Sequence, residues 1–156
     1  MKIRYRDWII EADSTFNKKV YASIEIPSAE GCGCSYCLNY AASRENIFPK
    51  EIQQLFADLG IDKQKEIAVD HMTELENDLH YYWGWFQFKG KFKGADYHAP
   101  LQGGGHTVYL EKITGTFEIG FAKAISSYAF DVEDDIVQVE FACQIPWIID
   151  TPPEGT

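Results

Sequence analysis

The segment His80–Phe92 constrains the fold of this chain most, because its side chains alternate between two classes with a period of two. The class that is predicted to face the core consists of Tyr82, Phe86, Phe88 and Phe92. The opposite face consists of Tyr81, Trp83, Trp85, Gln87, Lys89, Lys91 and Lys93. This alternation predicts a β-strand with two different faces, and such a strand requires partner strands for its backbone hydrogen bonds.

Four further regions are predicted to be strands from their apolar patterns. In the first half of the chain they are Ile3–Glu11 and Lys19–Ile26, joined by the polar turn Asp13–Asn17. In the second half, His106–Phe121 changes its apolar parity, which predicts a bulge or bend near Gly115. The last strand has an apolar face made of Val137, Val139, Phe141, Cys143 and Ile145.

Helix signals occur between the two groups of strands. Ser35 is the predicted N-cap of a first helix, and Pro49 is the predicted first residue of a second helix that ends at Gly60. Asp62 is the predicted cap of a third helix, whose apolar positions are Ile67, His71, Leu75 and Leu79. The predicted fold class is therefore α+β, with a mostly antiparallel, sandwich-like or curved β-sheet and an insertion of two to three helices at about residues 35–79.

The composition predicts a globular chain. The 156 residues are 46% hydrophobic and 15% aromatic, which is enough to build a sizeable core. We find no internal repeat and no linker long enough to divide the chain. We therefore expect a single α+β domain over residues 1–150 and a flexible C-terminal tail at 151–156.

The formal net charge of -10 argues against general nucleic-acid binding, because a phosphate backbone would be repelled. It also disfavours adsorption to anionic membranes. No stretch suits a signal peptide, and no run of about 18 apolar residues suits a transmembrane helix. We expect a cytoplasmic protein with reduced thiols, and a partner that is a protein or a small molecule.

The main candidate site is the cysteine cluster Cys32, Cys34 and Cys37, which a predicted loop at Ser28–Gly33 delivers. Thiolates are the soft ligands that zinc prefers, and a structural zinc site needs four ligands. The cluster supplies three metal ligands. The candidates for the fourth are Cys143, His71, His80, His98 and His106, although Cys143 also fits a core position in its strand.

Two other interpretations of the cluster remain open. Cys34 and Cys37 form a Cys-x-x-Cys pair at the predicted start of a helix, where the helix dipole favours a reactive thiolate. Alternatively, the cysteines only pack a tight loop whose turn Gly31 and Gly33 supply. The first alternative predicts a thiol-dependent redox enzyme, and the second predicts no chemistry.

The second candidate site is the face of the central strand that carries Tyr81, Trp83 and Trp85. Aromatic side chains followed by lysines suit a planar or sugar-like ligand with an anionic group. His106 follows a glycine-rich loop and is a candidate residue of the same ligand site. The alternative is that the helices cover Trp83 and Trp85, so that the strand is buried on both faces.

Four sequence elements together resemble a group of uncharacterised bacterial proteins of similar size. They are Cys32–Tyr40, Phe48-Pro49, Leu59–Asp62 and Gly84–Phe88, and the similarity spans about residues 5–150. The resemblance implies a bacterial cytosolic origin and implies that the cysteine cluster and the Gly-Trp-Phe strand belong together. It implies no activity, and Cys143 stands apart from its pattern.

Three functions follow from these observations. The first is a non-enzymatic binding or interaction protein whose cysteine cluster holds a structural zinc ion, with an acidic surface that suits a basic partner. The second is a thiol-dependent redox enzyme that uses Cys34 and Cys37. The third is a small-ligand-binding protein that uses the face formed by Tyr81, Trp83 and Trp85.

Overall fold

The computed structural model describes residues 1–127, 129–131 and 134–155, and it has the predicted alternating strand at its centre. The strands are β1 (Lys2–Tyr5), β2 (Trp8–Ala12), β3 (Ala68–Glu74), β4 (Leu79–Lys93), β5 (His98–Pro100), β6 (His106–Val108), β7 (Glu111–Thr114), β8 (Phe117–Lys123) and β9 (Ile136–Pro146). The helices are α1 (Ser14–Ser23), α2 (Ser28–Cys32), α3 (Ser35–Ser43) and α4 (Lys50–Leu59), and a 3-10 turn (Arg44–Asn46) follows α3.

Strand β4 organises the main sheet because it pairs along both of its edges. One edge pairs with β9 from Leu79 to Lys89. The other edge is shared, because β3 pairs with the first half of β4 and β2 pairs with its last residues. Strand β1 continues the sheet beyond β2, and β8 and β7 continue it beyond β9. All of these pairs are antiparallel, which confirms the predicted α+β class with two helices, α3 and α4, inserted after residue 35.

Between β3 and β2, side chains of α1 bond to the edge of β4. The Tyr21 hydroxyl donates to the carbonyl of Gln87 at 2.6 Å and accepts from its N–H at 3.1 Å. Asn17 lies one helical turn earlier; its Oδ1 accepts from the N–H of Lys89 at 2.8 Å, and its Nδ2 donates to the Lys89 carbonyl at 3.3 Å. Asn17 Nδ2 also donates to the carbonyl of Leu59 at the end of α4. The side chains of Asn17 and Tyr21, at i and i+4 of α1, thus take the place of a neighbouring strand along this part of the β4 edge.

We expect Asn17→Ala to lower the free energy of unfolding by about 2–4 kcal/mol, because it removes the hydrogen bonds that Asn17 makes to the N–H of Lys89 and to the buried carbonyl of Leu59. The Lys89 carbonyl keeps its bond from the N–H of Asp13. Urea unfolding followed by tryptophan fluorescence measures the loss. The matched control is the exposed neighbour in Lys18→Ala, for which we expect a change within about 0.5 kcal/mol. Equal stabilities of the two variants would contradict this account of the β4 edge.

The core lies between the helices and one face of the sheet. Phe48 makes edge-to-face contacts with Phe86, Phe117 and Phe141 at centroid distances of 5.5–6.0 Å, and Phe56 contacts Phe86 at 4.9 Å. The predicted core face of β4 is confirmed, since Tyr82, Phe86 and Phe88 are buried and Phe92 is half-buried. The predicted last strand is also confirmed, and its apolar face is buried at Val137, Val139, Phe141, Cys143 and Ile145.

The strand predicted at Lys19–Ile26 is wrong, because this region lies mostly in helix α1. The polar turn predicted at Asp13–Asn17 is the start of that helix, and Asp13 Oδ1 caps it by accepting from the N–H of Phe16 at 3.1 Å. The buried residues of α1 are Asn17 and Tyr21, which lie at helical spacing. A search for alternating apolar residues does not detect this pattern, because Asn17 is polar. The region Ile3–Glu11 forms the hairpin β1–β2 rather than one strand.

The third predicted helix is wrong, because residues 68–74 form β3. Asp62 caps only a turn, by accepting from the N–H of Gln64, and Leu75 bonds to Leu79 across the β3–β4 hairpin. Leu75 and Leu79 are therefore four residues apart because they flank the hairpin turn, and not because they lie on one face of a helix. Pairing with β4 outweighs local helical preference here, as tertiary context often does.

Several predicted boundaries also differ from the observed ones. Residues 28–32 form the short helix α2 instead of a loop, and the N-cap of α3 is Cys34 instead of Ser35. The region His106–Phe121 contains β6, β7 and most of β8, and the predicted bend near Gly115 is the β7–β8 turn. The second helix is confirmed as α4, but it begins at Lys50, and Pro49 is its N-cap instead of its first residue. Gly60 ends the helix as predicted, with a left-handed φ of 84°. No helix in the part of the chain that the structure describes has the length and apolarity of a membrane span.

Candidate metal centre

The cysteine cluster lies where α2 ends and α3 begins. Cys32 is the last residue of α2, and Gly33 reverses the chain with a φ of 71°, a conformation that favours glycine. Cys34 is then the N-cap of α3, and Cys37 lies in its first turn. The three Sγ atoms lie within 4.8 Å of one another, and all three thiols are free. The break between two helices therefore gathers the three thiols at one point.

The three thiols differ in exposure and in charge preference. Cys32 is exposed, Cys34 is half-buried and Cys37 is buried. Hydrogen bonds from the Cys34 backbone and from the Cys37 and Cys34 thiols lower the pKa of Cys32, because they stabilise its thiolate. Burial raises the pKa of Cys37. The cluster therefore favours one thiolate at the surface position and supplies its hydrogen-bond donors from the other two cysteines.

Ion pairs of the buried Arg44 hold α2 against α3 and the sheet. Arg44, which follows α3, donates to both carboxylate oxygens of Glu30 on α2, at 2.7 and 2.6 Å. The same guanidinium bonds both oxygens of Glu66, which is fully buried just before β3. Arg44 also lies over the ring of Tyr40 at 5.6 Å. Glu30 is two residues from Cys32, so these ion pairs fix the position of the helix that carries the exposed thiol.

Burial raises the pKa of Glu66 to about 7, although the hydrogen bonds from Arg44 act in the opposite direction. A raised pKa in the folded state means that the contribution of Glu66 to stability is full below the unfolded pKa and is lost as pH rises through the folded pKa. We therefore expect the unfolding free energy of Glu66→Gln, relative to wild type, to increase between pH 4.5 and pH 7. Urea unfolding over this range measures it, and a pH-independent difference would contradict the raised pKa.

An aromatic and histidine cluster packs beside the first turn of α3. Tyr36 stacks on His71 of β3 at a centroid distance of 3.9 Å, and His71 Nε2 lies 2.8 Å from Nδ1 of His80 on β4. The ring of Trp147 contacts both Tyr36 and His80. Burial and the neighbouring His80 lower the pKa of His71. These contacts fix the helix turn that carries Cys34 and Cys37. The sequence did not indicate this role of β3, because its residues were predicted to belong to a third helix.

The C-terminal segment reaches the same helix end. The Glu154 carboxylate accepts from the N–H of Ser35 at 3.2 Å, and the Glu154 carbonyl accepts from the Tyr36 hydroxyl at 2.9 Å. A carboxylate at a helix N-terminus is favoured by the free N–H groups there. The sequence did not predict that Tyr36 and Glu154 belong to the site. The one signal was the position of Tyr36 between Cys34 and Cys37.

None of the fourth ligands considered from the sequence joins the triad. Among the His, Cys, Asp and Glu residues in 1–127, 129–131 and 134–155, only the three clustered cysteines form a group of three whose ligand atoms all lie within 4.8 Å of one another. Cys143 is a core residue of β9, and burial raises its pKa to about 12. His71 and His80 bond to each other, whereas His98 and His106 lie together in the two-stranded β5–β6 sheet.

The aromatic residues Tyr81, Trp83 and Trp85 lie on the sheet face opposite the helices and are half-buried. The interpretation that the helices cover this face is therefore wrong. Trp83 Nε1 donates to Glu140 Oε1 at 2.7 Å, and Tyr81 and Trp83 pack against a small second cluster of buried residues on this face. His106 lies in β6, exposed, with its ring 6.2 Å from that of His98. A ligand-binding role for these residues remains a prediction.

The site has to be interpreted from its own chemistry. Comparison of the chain with protein families, with curated proteins and with solved structures found no match. The resemblance to a bacterial group therefore remains a prediction. What the structure establishes is an α+β protein with three free cysteines at metal-binding distance.

Proposed function

We propose that this protein is a non-enzymatic, zinc-binding α+β interaction protein of the cytoplasm, in which Cys32, Cys34 and Cys37 coordinate the ion. The mutual distance of the three Sγ atoms, within 4.8 Å, carries this proposal. Zinc–sulfur bonds of about 2.3 Å in a tetrahedral site place sulfur atoms roughly 3.8 Å apart. The observed cluster needs only small side-chain movements to reach that spacing.

Zinc would stabilise the part of the structure that has least packing of its own. Helix α2 has five residues, and only Ala29 is buried among them. A metal ion that joins Cys32 to Cys34 and Cys37 would link this short helix to the start of α3. The free thiols suit a reducing compartment, where a cysteine cluster serves metal binding better than a structural disulfide. The acidic chain, with a net charge of -10, would suit a basic protein partner.

We expect protein that is purified without chelator to contain one zinc ion per chain, with three thiols protected until chelation. Elemental analysis and thiol titration before and after chelator measure both quantities. Cys32→Ser removes one thiolate ligand and is expected to abolish stoichiometric zinc binding. The matched control is Cys143→Ser, which replaces a buried cysteine outside the cluster and is expected to retain zinc.

Thiol chemistry is the second candidate function, and the exposure of Cys32 favours it. In this function the Cys32 thiolate attacks a substrate disulfide, forms a mixed disulfide and releases one substrate thiolate. Cys34 or Cys37 then attacks the Cys32 sulfur and releases the second substrate thiol. The substrate gains two electrons, and the protein is left with a disulfide. The attacking residue in this scheme is Cys32, whereas the sequence pattern favoured the pair Cys34 and Cys37.

Alkylation rates in the metal-free protein test this alternative. We expect Cys32 to react with iodoacetamide first, because it is exposed and its thiolate is stabilised, and Cys37 and Cys143 to react slowly. Peptide mapping by mass spectrometry after timed quenching gives the order. Fast alkylation together with reduction of a model disulfide, abolished in Cys32→Ser, would support thiol chemistry. Fastest reaction at Cys34 or Cys37 would contradict the assignment of Cys32.

A further inference from the structure

The proposed metal site has three ligands from the chain, and this number determines its chemistry. Structural zinc sites are closed by four protein ligands, whereas sites with three protein ligands keep a fourth position for water or another exchangeable molecule. In the part of the chain that the structure describes, the three cysteines are the one group of three or more His, Cys, Asp or Glu residues whose ligand atoms all lie within 4.8 Å of one another. The count of ligands therefore points to an open site.

Two polar side chains that pack against the first turn of α3 have other partners. His71 Nε2 faces His80 Nδ1 at 2.8 Å, and the ring of His71 is stacked on Tyr36. The Glu154 carboxylate accepts from the N–H of Ser35 at the start of α3. Recruiting either side chain as a fourth ligand would break a hydrogen bond that helps to hold the site. The sulfur triangle also has an accessible corner, because Cys32 is exposed.

The charge around the site selects the kind of molecule that binds there. Three thiolates and a divalent cation leave a net charge of about -1 on the centre. The carboxylate of Asp70 is close enough to act on Cys32, and the Glu154 carboxylate lies at the adjoining helix end. The whole chain adds a net charge of -10. An anionic ligand is therefore disfavoured at this position, and an uncharged donor is favoured.

We infer that the metal ion held by Cys32, Cys34 and Cys37 keeps a fourth, solvent-facing position that takes a neutral donor, water in the isolated protein and an imidazole-type nitrogen from another molecule. This inference rests on the proposed function. It makes the centre a binding site for a histidine side chain or a similar nitrogen ligand, rather than a closed structural staple.

Cobalt substitution tests the inference. The metal-free, reduced protein is loaded with Co²⁺, which gives a thiolate-to-cobalt charge-transfer band and visible d–d bands. Addition of imidazole is expected to shift the visible bands saturably, while the charge-transfer intensity of three thiolates is retained. Azide, the anionic probe, is expected to cause no shift at the imidazole concentration that gives saturation.

Controls on the chain separate the possible sources of the fourth ligand. Asp70→Asn removes an exposed carboxylate that acts on Cys32 and keeps the size of the side chain, and we expect its cobalt spectrum to equal that of the wild type. Cys143→Ser is expected to leave the spectrum unchanged as well. Circular dichroism verifies that both variants are folded before loading.

Four results would overturn the inference. Visible bands that do not respond to imidazole, or that change in Asp70→Asn, would place the fourth ligand within the chain. Loss of the charge-transfer band on adding imidazole would mean that the ion is removed rather than ligated. An equal shift with azide would refute the preference for a neutral donor. A protein that never develops the charge-transfer band with Co²⁺ would instead refute the proposed metal site itself, so the two failures are distinguishable.

Discussion

The fold depends on how the backbone N–H and C=O groups along the second edge of β4 find hydrogen-bond partners. Two strands, β3 and β2, share that edge and leave Gln87 and Lys89 between them. Buried backbone N–H and C=O groups need partners, and here Tyr21 and Asn17 of α1 provide them. Because Asn17 also bonds to the end of α4, the same side chain sets the distance between two helices and the sheet. The shared edge is what allows one sheet to carry β3 at one end and the β1–β2 hairpin at the other.

The cysteine site depends on β3 being a strand. Its pairing with β4 brings His71 beneath Tyr36, and the Tyr82 hydroxyl of β4 donates to the Tyr36 carbonyl at 2.6 Å. Glu66, just before β3, is the buried partner of Arg44. Removing one partner of such a buried pair leaves an uncompensated charge, so the pair specifies where α3 ends relative to the sheet. The helices that carry the thiols are thus positioned by contacts that do not involve sulfur.

The fold class, β4, β9 and α4 could be predicted because their patterns are regular and long: the alternation around Phe86 and Phe88, the apolar face around Phe141, and the Pro49 and Gly60 boundaries. The cysteine cluster could be found from spacing alone, but its geometry depends on the helix break at Gly33. Helix α1 could not be predicted, since its buried residues Asn17 and Tyr21 are polar or amphipathic and act through hydrogen bonds to distant backbone. Strand β3 was missed because apolar residues at helical spacing occur by chance across a hairpin turn.

These points bear on how much of the fold a metal ion would support. The aromatic core around Phe48 and Phe86 and the α1 bonds to β4 lie away from the α2–α3 junction. Helix α2 has a single buried residue, Ala29, and relies on Glu30 and Arg44 for its position. An ion at the three cysteines would therefore act on local opening of this junction rather than on the stability of the sheet, since regions with few buried contacts open at lower free energy than the core. A surface site on such a segment can exchange its outer ligand without disturbing the fold, which is the behaviour that a binding site requires.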